Sequence, residues 1–420
     1  MTPRFAKLTP PAGEAIAYGP AGIRVPTRPI VPFIRGDGIG PEIWEATRAA
    51  VEAAVAQAYG DGRALVWFEV YAGAAAAAVY GPNVVLPDDS LAAIRHYKAA
   101  IKGPVETPVG GGIRSVNVAL RQALDLYANV RPVRYLPGLP SPLKAPEKVD
   151  LVIFRENTED VYAGIEWAAG SPEAQALIAH LNQHYLAGRE PLSPEAAIGL
   201  KPMTRRACER LVRRAVAFAL AAGYPSVTLV HKGNIMKFTE GGFVEWGYEL
   251  ARAEFGERTL TRAELTGALP SGKVLIKDRI ADAMFQDLIL HPEEHAVVAT
   301  TNLNGDYLSD AAAALVGGLG FAAGANLGDE LAVFEAVHGT APDLACRDVA
   351  NPSSLILTAY ELLRHLGWTE AAELLLGALR TVIGKGWVTA DVACWLPNVV
   401  PLSCSEFAAS VVEEIRAAGA

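Results

Sequence analysis

Asp306 and Asp310 stand four residues apart in "NLNGDYLSDA", a spacing that puts both carboxylates on one face if the segment is helical. As a solvated pair they repel by roughly a few tenths of a kcal/mol, whereas a hard divalent cation such as Mg²⁺ held between them by oxygen ligands turns the arrangement favourable. "IKDRIADA" holds a second pair at the same spacing, Asp278 and Asp282. Acidic pairs of this kind are usually plain solvated faces. On the cationic side, Arg121, Arg131 and Arg155 each adjoin a strand-like or glycine-rich segment, and a guanidinium can bind a carboxylate through two parallel hydrogen bonds. Three of them suit a multiply charged acid. Tyr162 in "RENTEDVYAGIEW" and Lys232 in "LVHKGNIMKF" follow strand-like runs, where α/β enzymes place chemistry, and both can move protons. Each also has an ordinary reading as an ion-pairing arginine, a solvated lysine or a half-buried tyrosine.

Such residues need a rigid frame. Short β-rich runs recur at "RPIVPFI" from Arg28, "ALVWFEVY" from Ala64, "DLVIFRE" from Asp150, "SVTLVHK" from Ser226 and "HAVVATTN" from His295, between longer helical patterns. This alternation predicts an α/β fold, and the nearly continuous apolar character predicts strands covered on both faces in a parallel or mixed sheet. Asn351 and Pro352 predict the start of a helix that stops at Gly367, and Ser405 is the expected cap of the last helix. Residues 168–201 are polar, contain proline and show weak periodicity, as an insertion outside the main cores would.

Two glycine-rich turns invite a nucleotide reading. "RGDGIGPE", Arg35 to Glu42, lacks the third glycine of a dinucleotide fingerprint and reads better as a tight strand-to-helix turn. "KGPVETPVGGGIRSVNVALRQ", Lys102 to Gln122, places Arg114, Ser115, Asn117 and Arg121 after a triple glycine and can wrap a small anion, or be a surface loop before a helix.

The 420 residues, 51% of them hydrophobic, allow two or three domains with a sizeable core. A net charge of −9 without a basic, aromatic-rich stretch argues against nucleic acid, so an anionic substrate needs a local cationic pocket. Four scattered cysteines in no zinc or disulfide pattern, and an N-terminus without a signal-peptide core, predict a cytoplasmic protein with no membrane association.

Taken together, "PFIRGDGIGPE", "KGPVETPVGGGIRSVNVALRQ", "DLYANVRPVRY", "VIFRENTEDVYAGIEW", "HKGNIMKFTEGGF", "IKDRIADA", "NLNGDYLSDA", "AGANLGDE", "FEAVHGTAP" and "SEF" resemble, in order, the prokaryotic isocitrate dehydrogenases of the isocitrate/isopropylmalate dehydrogenase family. The resemblance covers almost the whole chain. It implies a non-Rossmann α/β fold: a large cofactor-binding domain from residues 1–126 and 317–420, a small domain from 127–159 and 205–316, and a clasp from 160–204 that joins two subunits. The homodimer would share its active sites.

The resemblance also distributes roles. Ser115 and Asn117 match isocitrate-recognition positions, where relatives acting on isopropylmalate are more apolar, and Arg121, Arg131 and Arg155 match carboxylate-binding arginines. Tyr162 and the partner subunit's Lys232 match the catalytic pair; Asp306 and Asp310 with the partner subunit's Asp282 match the ligands of Mg²⁺ or Mn²⁺. Thr107, His338, Gly339, Ala341, Asp343, Leu344 and Asn351 match cofactor-contacting positions, while Glu106 departs from the family without an assignable effect. The implied reaction is the decarboxylating oxidation of isocitrate to 2-oxoglutarate, a tricarboxylic acid cycle step. Lys232 would take the hydroxyl proton and Tyr162 would help protonate the enolate.

The cofactor segment departs from NADP-using relatives: Asp343, Leu344, Ala390 and Cys394 replace residues that hold the 2′-phosphate. On that ground NAD is the expected cofactor. An NADP-using enzyme, a homoisocitrate- or isopropylmalate-type dehydrogenase and a catalytically silent regulatory subunit are the alternatives.

Overall fold

A computed structural model describes residues 4–20, 22–106 and 115–418. Near the N-terminus β1 (Ala17–Gly19) and β2 (Gly22–Arg24) form an antiparallel hairpin. Then follow β3 (Ile30–Ile34), β4 (Val66–Glu69), β5 (Ala99–Lys102), β6 (Ala128–Arg134) and β7 (Asp150–Glu156). A small pair, β8 (Glu166–Trp167) and β9 (Ile198–Gly199), stands apart. The remainder are β10 (Ser226–His231), β11 (Thr259–Thr261), β12 (Val274–Ile280), β13 (Val297–Thr300), β14 (Ala323–Leu327) and β15 (Ala332–Ala336). All five β-rich runs singled out in the sequence are strands.

Eleven strands join one sheet in the order β11-β12-β10-β13-β7-β6-β14-β15-β5-β3-β4. The five at one end are parallel, as are the four at the other, and antiparallel pairings through β6 and β14 join the two halves. The expected α/β class with a mixed sheet is therefore what forms.

Side-chain alternation explains where the site sits. Val31, Phe33, Ile101, Val130, Val152 and Phe154 face one continuous core with helices Gly40–Tyr59, Arg205–Ala222, Ser353–His365 and Thr369–Gly384. Their neighbours Ile30, Ile34, Ala100 and Val333 belong to a second core, and Val133, Leu151, Ile153 and Val298 to a third. On this opposite face the apolar covering is thus split, because strand residues one apart point to opposite sides. Lys102, Asn129, Arg131, Arg155, Asn326 and Glu335 have the parity of the split face, and all are buried. A polar strip runs between two apolar patches.

Three local expectations need correction. The last helix, Cys404–Ala417, is capped by Ser403, which accepts the Glu406 N–H while Glu406 accepts that of Ser403; Ser405 instead bonds Asp348 through its N–H and hydroxyl. The 168–201 stretch contains a regular helix, Pro172–His184, capped by Ser171. Its exposed sides are polar, which weakened the apolar period. Asp278 and Asp282 do not share a helix face: Asp278 lies in β12, bonded to Tyr248 and His231, and Asp282 lies in helix Ala281–Leu290. Asn351 does accept the Ser353 N–H at the start of its helix. Among the described residues, no helix is long and apolar enough to cross a membrane.

The "RGDGIGPE" turn is packed against backbone. A Cβ on Gly36 would lie 2.1 Å from the Pro104 carbonyl oxygen, and one on Gly38 would lie 2.0 Å from that of Thr340, both at positive φ. Between them the carboxylate of Asp37 accepts the N–H groups of Ala74 and Glu106. Gly38→Ala should therefore lower the unfolding free energy by about 2 kcal/mol or more. Urea titration checks this, and an unchanged midpoint at unchanged slope contradicts it.

Candidate active site

Arg155, at the end of β7, is 1% exposed and clamped on several sides. Its Nε donates to Asn302 Oδ1 at 2.9 Å, its Nη1 pairs with Asp306, and its guanidinium carbon lies 4.8 Å from the Tyr162 ring centroid. Tyr162 donates its hydroxyl to Asp306 Oδ2 at 2.8 Å. On β6, Arg131 donates to Asn129 Oδ1 at 2.9 Å, Ser309 Oγ at 2.8 Å and Asp310 Oδ1 at 2.8 Å. Helix Asn302–Ala314 presents Asp306 and Asp310 one turn apart to these arginines. The helical geometry expected of that pair is present.

Arg121 completes the cationic side from helix Val116–Ala123. It pairs with Glu335 at 2.6 Å, and Glu335 also pairs with Lys102 at 3.0 Å. Sequence reading missed Lys102 and Glu335, although an acidic residue inside the apolar strand "AVFEA" was an available signal. Among the described residues two buried atoms here have no partner, Arg121 Nε and Asn117 Oδ1. A donor and an acceptor left unpaired in the interior are expensive without a ligand. Ser115 precedes the helix and makes no side-chain cap. Thr107 and Arg114 lie outside the described residues.

Electrostatics follow from this crowding. Burial, then repulsion from Arg155 and Arg121, lowers the pKa of Arg131 to about 10; burial followed by Arg121 also lowers that of Arg155. Burial pushes the Asp306 carboxyl up, but Arg155, the Tyr162 hydroxyl and Arg131 outweigh it and hold the group below the ordinary carboxylate value. Burial, reinforced by the bond to Asp306, raises Tyr162 against the pull of Arg155, so its hydroxyl keeps its proton at neutral pH.

Lys232 and Asp282 form a separate cluster. Lys232 Nζ pairs with Asp282, whose side chain is 70% exposed. Ile235 and Phe238, which follow Lys232, are exposed, as are Ile289 and Leu290 at the end of the helix that carries Asp282. Among the described residues no group of three or more His, Cys, Asp or Glu side chains is placed to hold a metal, so Asp282 does not join Asp306 and Asp310 within one chain.

At the positions expected to contact a cofactor, His338 Nδ1 bonds the Gly339 carbonyl at 2.9 Å, while its buried Nε2 has no partner among the described residues. Burial lowers the His338 pKa, keeping the ring neutral. Ala341 adopts the left-handed conformation before Asp343 and Leu344, both exposed, and Asn351 donates to Asp391 at 3.0 Å.

The sequence profile of the isocitrate/isopropylmalate dehydrogenase family matches residues 30–411. The chain belongs to this family. Among its relatives, the isocitrate dehydrogenase [NADP] of Pseudomonas aeruginosa is 50% identical over 98% of this chain and 100% of that protein. That of Coxiella burnetii is 52% identical over 97% and 96%, respectively. The crystal structure of isocitrate dehydrogenase from Methylococcus capsulatus aligns over 92% of this chain and 99% of that one, with TM-score 0.76 at 40% identity. The TT0538 protein of Thermus thermophilus aligns over 95% and 70%, with TM-score 0.75 at 34% identity.

These relatives overturn one expectation for this family member. Proteins about half identical over nearly the whole chain are named for NADP, so the assignment of NAD is corrected. The expectation of NAD rested on Asp343, Leu344, Ala390 and Cys394 together. An exposed aspartate is screened by solvent and repels a phosphate weakly. Arg347 Nη1 donates to the Asp343 carbonyl at 3.3 Å and brings a guanidinium to the same turn.

Replacing Asp306 by Asn leaves the Arg155 guanidinium buried without its counter-ion and should cost about 1–3 kcal/mol at pH 7, discounted for the partial exposure of Asp306. Because the folded state holds this carboxyl low, its contribution is present above the ordinary aspartate range and lost as pH falls below it. Urea unfolding of both proteins at pH 7 and pH 3 should show the difference shrinking at the lower pH; a constant difference contradicts the linkage.

Proposed function

We propose that this chain is an NADP-dependent isocitrate dehydrogenase, converting isocitrate to 2-oxoglutarate and CO₂ with Mg²⁺ or Mn²⁺. The observation that carries the reading is the meeting of Arg121, Arg131 and Arg155 with Asp306, Asp310 and Tyr162 on the polar strip. Arg121 lies close enough to lower the pKa of both Arg131 and Arg155, and three guanidiniums gathered in this way suit a tricarboxylate. The orphaned Asn117 Oδ1 and Arg121 Nε add the polar contacts that an isopropyl group would leave unpaired. The names of the close relatives support both substrate and cofactor.

Asp306 and Asp310 supply hard oxygen donors on one helical face, which fits a divalent ion, and we assign the partner subunit's Asp282 as the third ligand. His338, whose buried Nε2 has no partner among the described residues, would hold the nucleotide together with Gly339, Ala341 and Asn351. When bound, NADP accepts the hydride and the metal offsets negative charge on substrate oxygens. The chain's own residues do the rest. The arginines fix the carboxylates, Lys232 accepts the hydroxyl proton, and the protonated Tyr162 delivers a proton to the carbon that loses CO₂.

Because, among the described residues, the Lys232 and Asp282 side chains pair with each other and not with Asp306, Asp310 or Tyr162, the reading includes a homodimer in which each site takes them from the second subunit. The exposed Phe238 and Ile235 beside Lys232 support this pairing. The two parallel halves of the sheet are read as the large and small domains, residues 160–204 as the clasp, and the unpaired state of all four cysteines supports a cytoplasmic protein.

Steady-state assays with isocitrate, isopropylmalate and homoisocitrate against NADP and NAD test the reading. The highest kcat/KM should belong to isocitrate with NADP under Mg²⁺; a larger value for NAD would refute the cofactor, and one for another acid would refute the substrate. Mixing inactive Tyr162→Phe and Lys232→Met proteins should restore activity, since a heterodimer assembles one site with both native groups. Inactive, verified heterodimers would rule out shared sites.

A further inference from the structure

Lys201 lies two residues after β9, and its ammonium group sits between two buried carboxylates. It pairs with Asp160 through a hydrogen bond and stands 2.8 Å from Glu240 Oε1, a charge contact without hydrogen-bond alignment. Neither carboxylate reaches solvent: Asp160 is 1% exposed and Glu240 0%. Two like charges confined together in the interior need a cation, and removing it leaves both uncompensated.

Each carboxylate holds something else. Asp160 accepts the N–H of Val161 at 2.6 Å and that of Leu303 at 3.1 Å, in a turn where its own φ is +71°. Tyr162 follows in that turn. Glu240 accepts the backbone N–H of Lys232 at 2.9 Å and the Asn304 side chain at 2.8 Å. Leu303 and Asn304 begin the helix that carries Asp306 and Asp310. One ammonium group therefore anchors the turn of Tyr162, the backbone of Lys232 and the first turn of the aspartate helix.

We propose that Lys201 is a positioning residue that couples the two active sites of the dimer. The inference rests on the shared-site reading above, in which Tyr162 and Lys232 of one chain serve different sites. Through Asp160, Lys201 sets Tyr162 in one site; through Glu240, it sets Lys232 in the other. Nothing about its sequence neighbourhood, "GLKPMT", signals this, because both partners are distant along the chain.

The test uses differently tagged subunits, so that wild-type/Lys201→Met heterodimers can be purified. In the Lys201→Met homodimer kcat with isocitrate should fall about 10–100-fold, with KM changed less than about threefold, since misplaced reacting groups slow chemistry more than binding. The heterodimer should fall below about one fifth of wild type, because one altered chain damages both sites; retention of about half would mean that one site is untouched and would overturn the proposal. Hydrogen exchange on the ligand-free protein supplies an arm independent of turnover. Peptides spanning 160–163 and 231–240 should both lose protection in Lys201→Met, and loss in only one, or in neither, overturns the double hold. Asp160→Asn/Lys201→Met/Glu240→Gln removes the whole ion group: recovery of thermal stability without recovery of kcat supports positioning, whereas recovery of both reduces Lys201 to a charge balance for folding. Should wild type itself fail to turn over isocitrate, the functional reading falls while the exchange arm still decides the double hold.

Discussion

The guanidinium groups of Arg131 and Arg155 are buried on the middle strands of the sheet, where water cannot solvate them. Such a charge is tolerable only with a carboxylate and further hydrogen-bond acceptors around it. Asp310 and Asp306 provide the first; Asn129, Ser309 and Asn302 provide the second. The requirement sets the position of helix Asn302–Ala314, because its two acidic residues must face β6 and β7. It also leaves the two acids charge-balanced by the arginines they face.

The sheet makes this placement possible by changing character at its centre. Its parallel ends are covered by helices on both faces, while the antiparallel strands between them interrupt the apolar covering on one face. Lys102, Asn129, Arg131, Arg155, Asn326 and Glu335 fall in that interruption because strand residues two apart share a face. Behind them Val130 and Phe154 remain in the continuous core. Reactive and structural residues thus alternate along the same strands, and a substitution on either face is felt by the other.

Loops reach the strip by close backbone contact. Gly36 and Gly38 let the turn after β3 touch Pro104 and Thr340, and Asp37 holds the N–H groups of Ala74 and Glu106. A side chain at either glycine would push the turn away from the segments around Pro104 and Thr340. The failed dinucleotide spacing and this packing agree that the turn joins chain segments.

The strands, the mixed α/β class and the placement of Asp306 and Asp310 on one helix were legible in the sequence, because local period and spacing determine them. The motifs likewise carried the family and isocitrate as expected substrate. Local spacing misled for Asp278 and Asp282, which a strand-to-helix junction separates, and for Ser405, since Ser403 forms the reciprocal bonds with Glu406. The expectation of NAD from four side chains failed for a related reason: the charge at the Asp343 turn depends on every group that shares the space, including Arg347. What only the tertiary structure decided is which distant charges meet. Arg121 finds Glu335, Arg155 finds Asp306 and Lys201 finds Glu240 across separations that no pattern in the chain encodes, because burial brings them together and the cost of an unpaired interior charge holds them there.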